Sequence, residues 1–227
     1  MDFKKIQTKI GFTFEDEKLL EEALTHRSYK NENLDWPHRN NERLEFLGDA
    51  VLELAVTEKL YKKFPRREEG ELTVIRAALV NTKALSAVAK NLGLDKALLL
   101  SRGEAKDINS KGRESISANS VEAVIGAIYL DQGYEPAQRF INNFVMPLAD
   151  EIAKDGGKDA KSLVQEYVQA HFKITPNYQV VEETGPAHDR HFKVGLYFEE
   201  DLKAEGEGSS KQEAELDAAA NFLEELD

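Results

Sequence analysis

The stretch Asn41-Glu42-Arg43-Leu44-Glu45-Phe46-Leu47-Gly48-Asp49 places three acids at helical spacing. At about 100° per residue, with Glu42 as origin, Glu45 falls at about −60° and Asp49 at about −20°, so all three share one narrow face. The remaining faces carry Leu44, Leu47, Val51, Leu54 and Ala55, which marks a helix expected to be buried. Like charges at these spacings destabilise a helix even in water, so something must compensate them. The bland compensation is a solvated stripe or a salt bridge to Arg43. A second segment, Ser117 to Leu130, is just as apolar and breaks its core only with Asn119, Ser120 and Glu122, the first and last of these on one face. Oxygen donors on two facing helices suit a hard divalent cation, and Mg²⁺, with Mn²⁺ as substitute, is the expected ion. Gly48 and Gly126 each cost about 1 kcal/mol inside a helix relative to Ala, and their nearness to the acids points to close approach of the two helices.

The elements needed to position these acids are visible as patterning. Apolar residues recur at helical spacing in Phe14–Leu24, Arg43–Leu60, Leu72–Asn91, Ser117–Leu130 and Glu135–Ala153, which predicts an all-α first domain over residues 1–153. Residues 154–159, which include Gly156 and Gly157, read as a flexible linker. Behind them, 160–227 pattern as a helix, three period-two strands and a final helix, a small α+β module of the order α-β-β-β-α. With 227 residues, 41% apolar and 32% charged, the chain is long enough for two such units and too rich in aromatics for wholesale disorder. It has no Cys, which excludes disulfides and thiolate zinc sites. Its longest apolar run, Ala123 to Leu130, is too short to span a bilayer, and the expectation is a cytoplasmic protein with no membrane partner.

Charge argues against a polyanionic partner at first sight. The formal net charge is −12, with −3 over residues 1–157 and −9 over 158–227. A nucleic-acid surface on this chain must therefore be local.

The nonapeptide from Asn41 to Asp49 resembles the signature of the ribonuclease III family. Further segments that resemble it are Leu24–Tyr29, Gly70–Thr73 with Arg76–Asn81, and Glu122–Asp131, so the likeness runs through the whole first domain. It implies a ribonuclease III-like helical bundle in which Glu45, Asp49 and Glu122 are metal-site carboxylates, with Glu42 supporting the same face. Asn119 stands where the family usually has Asp. Two readings follow: an amide oxygen that still serves the metal site, or a substitution that cripples cleavage while sparing binding. The resemblance also implies a two-fold dimer in which Phe46 enters a pocket of the second subunit, bringing two carboxylate clusters to one duplex.

Residues 158–227 resemble a double-stranded RNA-binding domain, from Ser162–Tyr167 through Pro176–Tyr178 and Gly185–Asp189 to Gly206–Glu215. Such domains span about 16 base pairs. Gln165 and Gln169 lie one helical turn apart and suit 2′-hydroxyls and base edges, His188 suits another minor groove, and Ser210 with Lys211 suits a phosphate at the start of the last helix. Gln212 follows Lys211 where the family usually has a second basic residue. Arg102, Lys106, Lys111 and Arg113 are either phosphate contacts or a solvated charge cluster. His26 reads as a packing or hydrogen-bonding residue.

Together these imply a homodimeric, metal-dependent endonuclease for double-stranded RNA, acting in rRNA and mRNA processing without an organic cofactor. It would leave 5′-phosphate and 3′-hydroxyl ends with short 3′ overhangs. The alternatives are a catalytically impaired duplex-binding protein on the same fold and an acidic helical scaffold with no RNA role. Crowding should raise the pKa of at least one acid, so that activity falls at low pH.

Overall fold

Two helices of 22 residues each, α4 (Glu42–Lys63) and α9 (Lys111–Gln132), form the axis of the first unit. In the computed structural model, which describes residues 3–106, 111–154, 156–186 and 190–226, they cross with their backbones in contact. A Cβ added to Gly48 would stand 1.8 Å from the carbonyl oxygen of Glu122, and one added to Gly126 would stand 2.2 Å from that of Leu44. The close approach expected from the two glycines is therefore present, and no larger residue fits at either.

Around this pair lie α1 (Phe3–Ile10), α2 (Glu17–Ala23), α3 (Arg27–Glu32), α5 (Glu69–Val80), α6 (Thr82–Leu92), α7 (Leu94–Ala97), α8 (Arg102–Lys106), α10 (Tyr134–Phe144) and α11 (Ala149–Lys154). Their inward residues, among them Leu20, Leu52, Ile75, Leu85, Ile125 and Ile141, form one continuous apolar core.

Two long helical stretches expected from periodicity are broken. The stretch 72–91 divides at Asn81, whose side-chain oxygen accepts the Ala84 N–H at 2.9 Å and starts α6. The stretch 135–153 divides at a 3₁₀ turn, Met146–Leu148, where Pro147 has no N–H to continue α10. In the region read as a linker, the Gly157 N–H returns to Ile152 O at 2.7 Å, and Asp159 caps the next helix by accepting the Ser162 N–H at 2.8 Å.

The second unit, residues 158–227, has α12 (Ala160–His171), then β1 (Asn177–Thr184), β2 (His191–Phe198) and β3 (Asp201–Gly208), then α13 (Lys211–Glu224). The strands form an antiparallel sheet in the order β1-β2-β3. Alternate residues of β2, Phe192, Val194, Leu196 and Phe198, are buried. Leu196 and Phe198 join Val164 and Val168 of α12 and Ala218, Ala219 and Phe222 of α13 in a core separate from that of the first unit. The fold is thus an all-α domain followed by an α-β-β-β-α module.

Candidate active site

The start of α4 is tied by backbone to the segment that precedes α3. Asn41, 2% exposed, donates its N–H to Thr25 O at 2.9 Å and accepts the Glu45 N–H at 2.9 Å. Thr25 itself lies in a short parallel bridge with Leu99, held by Leu99 N–H to Leu24 O at 2.8 Å and His26 N–H to Leu99 O at 3.0 Å. These bonds fix the rotation of α4 and so the direction of its acids.

Glu42 is exposed, 3.5 Å from Arg27 and bonded by the Asn40 amide at 3.0 Å. The cation beside Glu42 is thus Arg27, from α3, and not the Arg43 of the bland alternative. Glu45 is half-buried and its Oε1 accepts Asn119 Nδ2 at 2.9 Å. Asp49 is exposed, and Glu122, half-buried on α9, lies across the crossing marked by Gly48.

Electrostatics ties these acids into one group. Burial pushes the Glu122 carboxyl up to about 7, and the charges of Asp49 and Glu45 push in the same direction. Glu45 is raised chiefly by burial, with Glu42 and Asp49 adding, while the Asn119 hydrogen bond and Arg27 pull it back.

Donor chemistry here suits a divalent cation, because the Glu122 carboxyl is desolvated and only other carboxylates act on it. Geometry is less complete. Among the described residues no three His, Asp or Glu side chains are gathered closely enough to hold a metal ion. Asn119 presents its amide nitrogen to Glu45, so those two expected ligands are bonded to each other.

Beside the acids opens a cleft of about 410 Å³ lined by His26, Arg27, Glu42, Glu45, Glu104 and Asn119, among others. His26 caps α3, with Nδ1 accepting the Ser28 N–H at 3.3 Å, and Glu104 comes from α8. Glu104 carried no sequence signal, since nothing in the local pattern links α8 to the carboxylate face.

The outer side of α4 departs from the expectation of a helix buried nearly all round. Phe46 is 82% exposed, Leu54 58% and Tyr61 74%, forming one apolar stripe beside a hollow of about 390 Å³ lined by Thr57, Leu60, Tyr61 and Leu72.

In the second unit Gln165 and Gln169 are exposed on α12. Gln165 lines a hollow of about 360 Å³ together with Ser162, Lys161 and Gln212, so α12 and the start of α13 share a face. Ser210 caps α13 by accepting the Glu213 N–H at 3.3 Å, and Lys211 is exposed with its ammonium 5.8 Å from the Phe192 ring centroid. His188 lies outside the described residues. Of the basic residues expected ahead of the second acid helix, Arg113 instead lies within α9, bound to the carbonyl of Asp95.

An all-helical unit whose two crossed helices carry facing acids, followed by an α-β-β-β-α module, has the make-up of a nuclease domain joined to a double-stranded RNA-binding domain. Comparison with known proteins agrees. The ribonuclease-III-like family model matches residues 16–148, and the double-stranded RNA binding motif matches 160–226. Ribonuclease 3 of Bdellovibrio bacteriovorus is 46% identical over 223 residues, covering 97% of this chain and 94% of that protein. Ribonuclease 3 of Syntrophomonas wolfei is 50% identical over 212 residues, covering 93% and 90%. The solved nuclease domain of ribonuclease III from Campylobacter jejuni, described for flexibility in a region involved in dimer formation, superposes with a TM-score of 0.58 at 40% identity, over 64% of this chain and 97% of that one. The chain belongs to the ribonuclease III family, in its bacterial form of nuclease domain plus double-stranded RNA-binding domain.

Proposed function

We propose that the chain is a homodimeric, divalent-metal-dependent endonuclease for double-stranded RNA, yielding 5′-phosphate and 3′-hydroxyl ends with short 3′ overhangs in rRNA and mRNA processing. The observation that carries this reading is the helix crossing at Gly48 and Gly126, which brings Glu45, Asp49 and Glu122 into one electrostatic group within a chain of this family.

Glu45, Asp49 and Glu122, with Asn119, would hold Mg²⁺ or Mn²⁺. Once bound, that ion supplies charge neutralisation at the phosphate and a more acidic water. The chain contributes a field of carboxylates whose repulsion favours cation entry, with Glu122 giving up its proton near pH 7. Glu42, held by Arg27 and Asn40, keeps the rim of this face in place.

Support for the dimer comes from the apolar stripe. If two copies of α4 pack antiparallel about a two-fold axis at Leu54, Phe46, eight residues before it, stands about 12 Å along the helix and meets the partner beside Tyr61 and its hollow. Such an arrangement presents one acid cluster to each strand of a duplex. On the second unit, Gln165, Gln169, Ser210 and Lys211 are the proposed RNA contacts, joined by His188.

Asn119 favours one rival, a duplex-binding protein impaired in cleavage, because its amide already satisfies Glu45 without a cation. A labelled RNA duplex incubated with Mg²⁺, Mn²⁺ or chelator separates the two. Cutting that needs metal and vanishes in Glu122→Gln, with duplex binding retained, supports the endonuclease. A duplex shifted but never cut with either metal, and cut once Asn119→Asp is made, supports the rival.

A further inference from the structure

We infer that His26 contacts the substrate ribose: its imidazole donates from Nε2 to the 2′-hydroxyl of a nucleotide beside the cleaved bond, and Glu104 accepts from that hydroxyl. The inference rests on the endonuclease reading above and adds a sugar-recognition element to it.

The argument begins with the proton on the imidazole. The Ser28 backbone N–H can only donate, and it points at Nδ1 from 3.3 Å. Ser28 Oγ accepts the Ser101 N–H at 3.0 Å, which leaves its own proton to go to Nδ1 at 2.8 Å. Nδ1 is therefore an acceptor, and the neutral ring carries its hydrogen on Nε2. Burial favours this neutral form, since it holds the His26 pKa below the usual value against the opposing pull of Glu104 and Glu42. Among the described residues the Nε2–H has no partner, although the ring lines the cleft beside Glu42, Glu45 and Asn119.

The placement is rigid. Its N–H bonds Leu99 O at 3.0 Å, and Glu104 is tied to the same segment by its N–H to Ser101 Oγ at 3.2 Å. A donor from the cap of α3 and an acceptor from α8 thus both line a 410 Å³ space.

Charge selects the ligand group. Among the described residues that line the cleft, Glu42, Glu45 and Glu104 stand against one cation, Arg27, which already lies 3.5 Å from Glu42, while Arg113 acts on His26 from farther off. A hydroxyl, which both donates and accepts, matches a neutral N–H beside a carboxylate, and the 2′-hydroxyl is the group that distinguishes RNA from DNA.

The test uses the full chain with duplexes carrying single 2′-deoxy substitutions at successive nucleotides flanking the cut. For the wild type, one position should lower kcat/KM about five- to tenfold, the worth of one hydrogen bond. His26→Asn keeps an oxygen to cap Ser28, so the melting temperature should hold. On the all-ribose duplex it should lose the same factor and be indifferent to the deoxy substitution at that position. Ser28→Ala, which frees the ring without removing it, should lose part of the discrimination. If His26→Asn melts like the wild type and keeps the wild-type ribose-to-deoxyribose ratio at every position, the inference is overturned. If His26→Asn is destabilised, unchanged discrimination in Ser28→Ala overturns it. Failure of the endonuclease reading shows itself separately, as a wild type that never cuts the all-ribose duplex. The same substitutions then decide the ribose contact through duplex affinity.

Discussion

Replacing Asn119 by Asp tests whether the acids of α4 and α9 share one site. In the wild type the Asn119 amide donates to Glu45 Oε1 at 2.9 Å. Asp removes that charge-assisted bond, worth about 1.5–3 kcal/mol, and puts a second carboxylate in its place. Two like charges about 4 Å apart repel by about 1 kcal/mol in water and about 4 kcal/mol at a partly buried surface. Because both side chains can rotate apart, a net loss of about 2–4 kcal/mol is expected without a cation. At about 2–4 °C per kcal/mol for a protein of this size, the nuclease unit should melt about 4–16 °C lower in chelator. A cation held by four oxygens restores it: Mg²⁺ at about 100 times its Kd returns about 2.7 kcal/mol. Thermal melting of both chains in chelator and across a Mg²⁺ titration reads this directly, and the variant should recover far more than the wild type while gaining cleavage rate. Equal melting in chelator, or equal recovery with Mg²⁺, would show that Asn119 and Glu45 face no common ion, and the metal site would have to be placed elsewhere.

Other perturbations address the remaining links. The Glu122 carboxyl sits at about 7 in the fold against an ordinary 4.5, so the folded form binds its proton more tightly and stability is lost as pH rises between those values. Glu122→Gln removes this loss: its melting temperature relative to wild type, in chelator, should climb from about pH 5 to about pH 8, and a flat difference would refute the burial argument. Phe46→Asp should give a monomer by sedimentation with helical content intact and cleavage strongly reduced; a stable dimer would show that the stripe of Phe46, Leu54 and Tyr61 is not the interface. Gly126→Ala drives a methyl to 2.2 Å from Leu44 O and should cost about 2–4 kcal/mol in denaturant unfolding. Gly70→Ala, in α5 with nothing within 4 Å of the new Cβ, should instead gain about 0.5–1 kcal/mol.

What could be read from the sequence was whatever follows from periodicity within one helix. Glu42, Glu45 and Asp49 share a face by rotation alone, and Gly48 and Gly126 signalled close approach because glycine is costly in a helix interior. The break at Asn81 was hidden because the apolar spacing of α5 continues into α6, and only the bond to the Ala84 N–H interrupts it. Ser101 is 73 residues from Ser28, through whose hydroxyl it reaches the His26 ring, a separation no local pattern reports. The rotation of α4 is likewise set from afar, by Thr25 and Leu99. Periodicity could not say that the Leu54 side lacks a neighbour within the chain, since apolar spacing marks a face for burial without naming what buries it. One consequence joins these points. Glu45 and Phe46 are consecutive, so the acid and the aromatic ring stand about 100° apart on one rigid helix. A shift in the bonds from Asn41 to Thr25 that turned α4 would move both together. Cleavage and dimerisation should therefore respond jointly to changes at the Thr25–Leu99 bridge, whereas Glu122, carried by α9, can be altered with the dimer left whole.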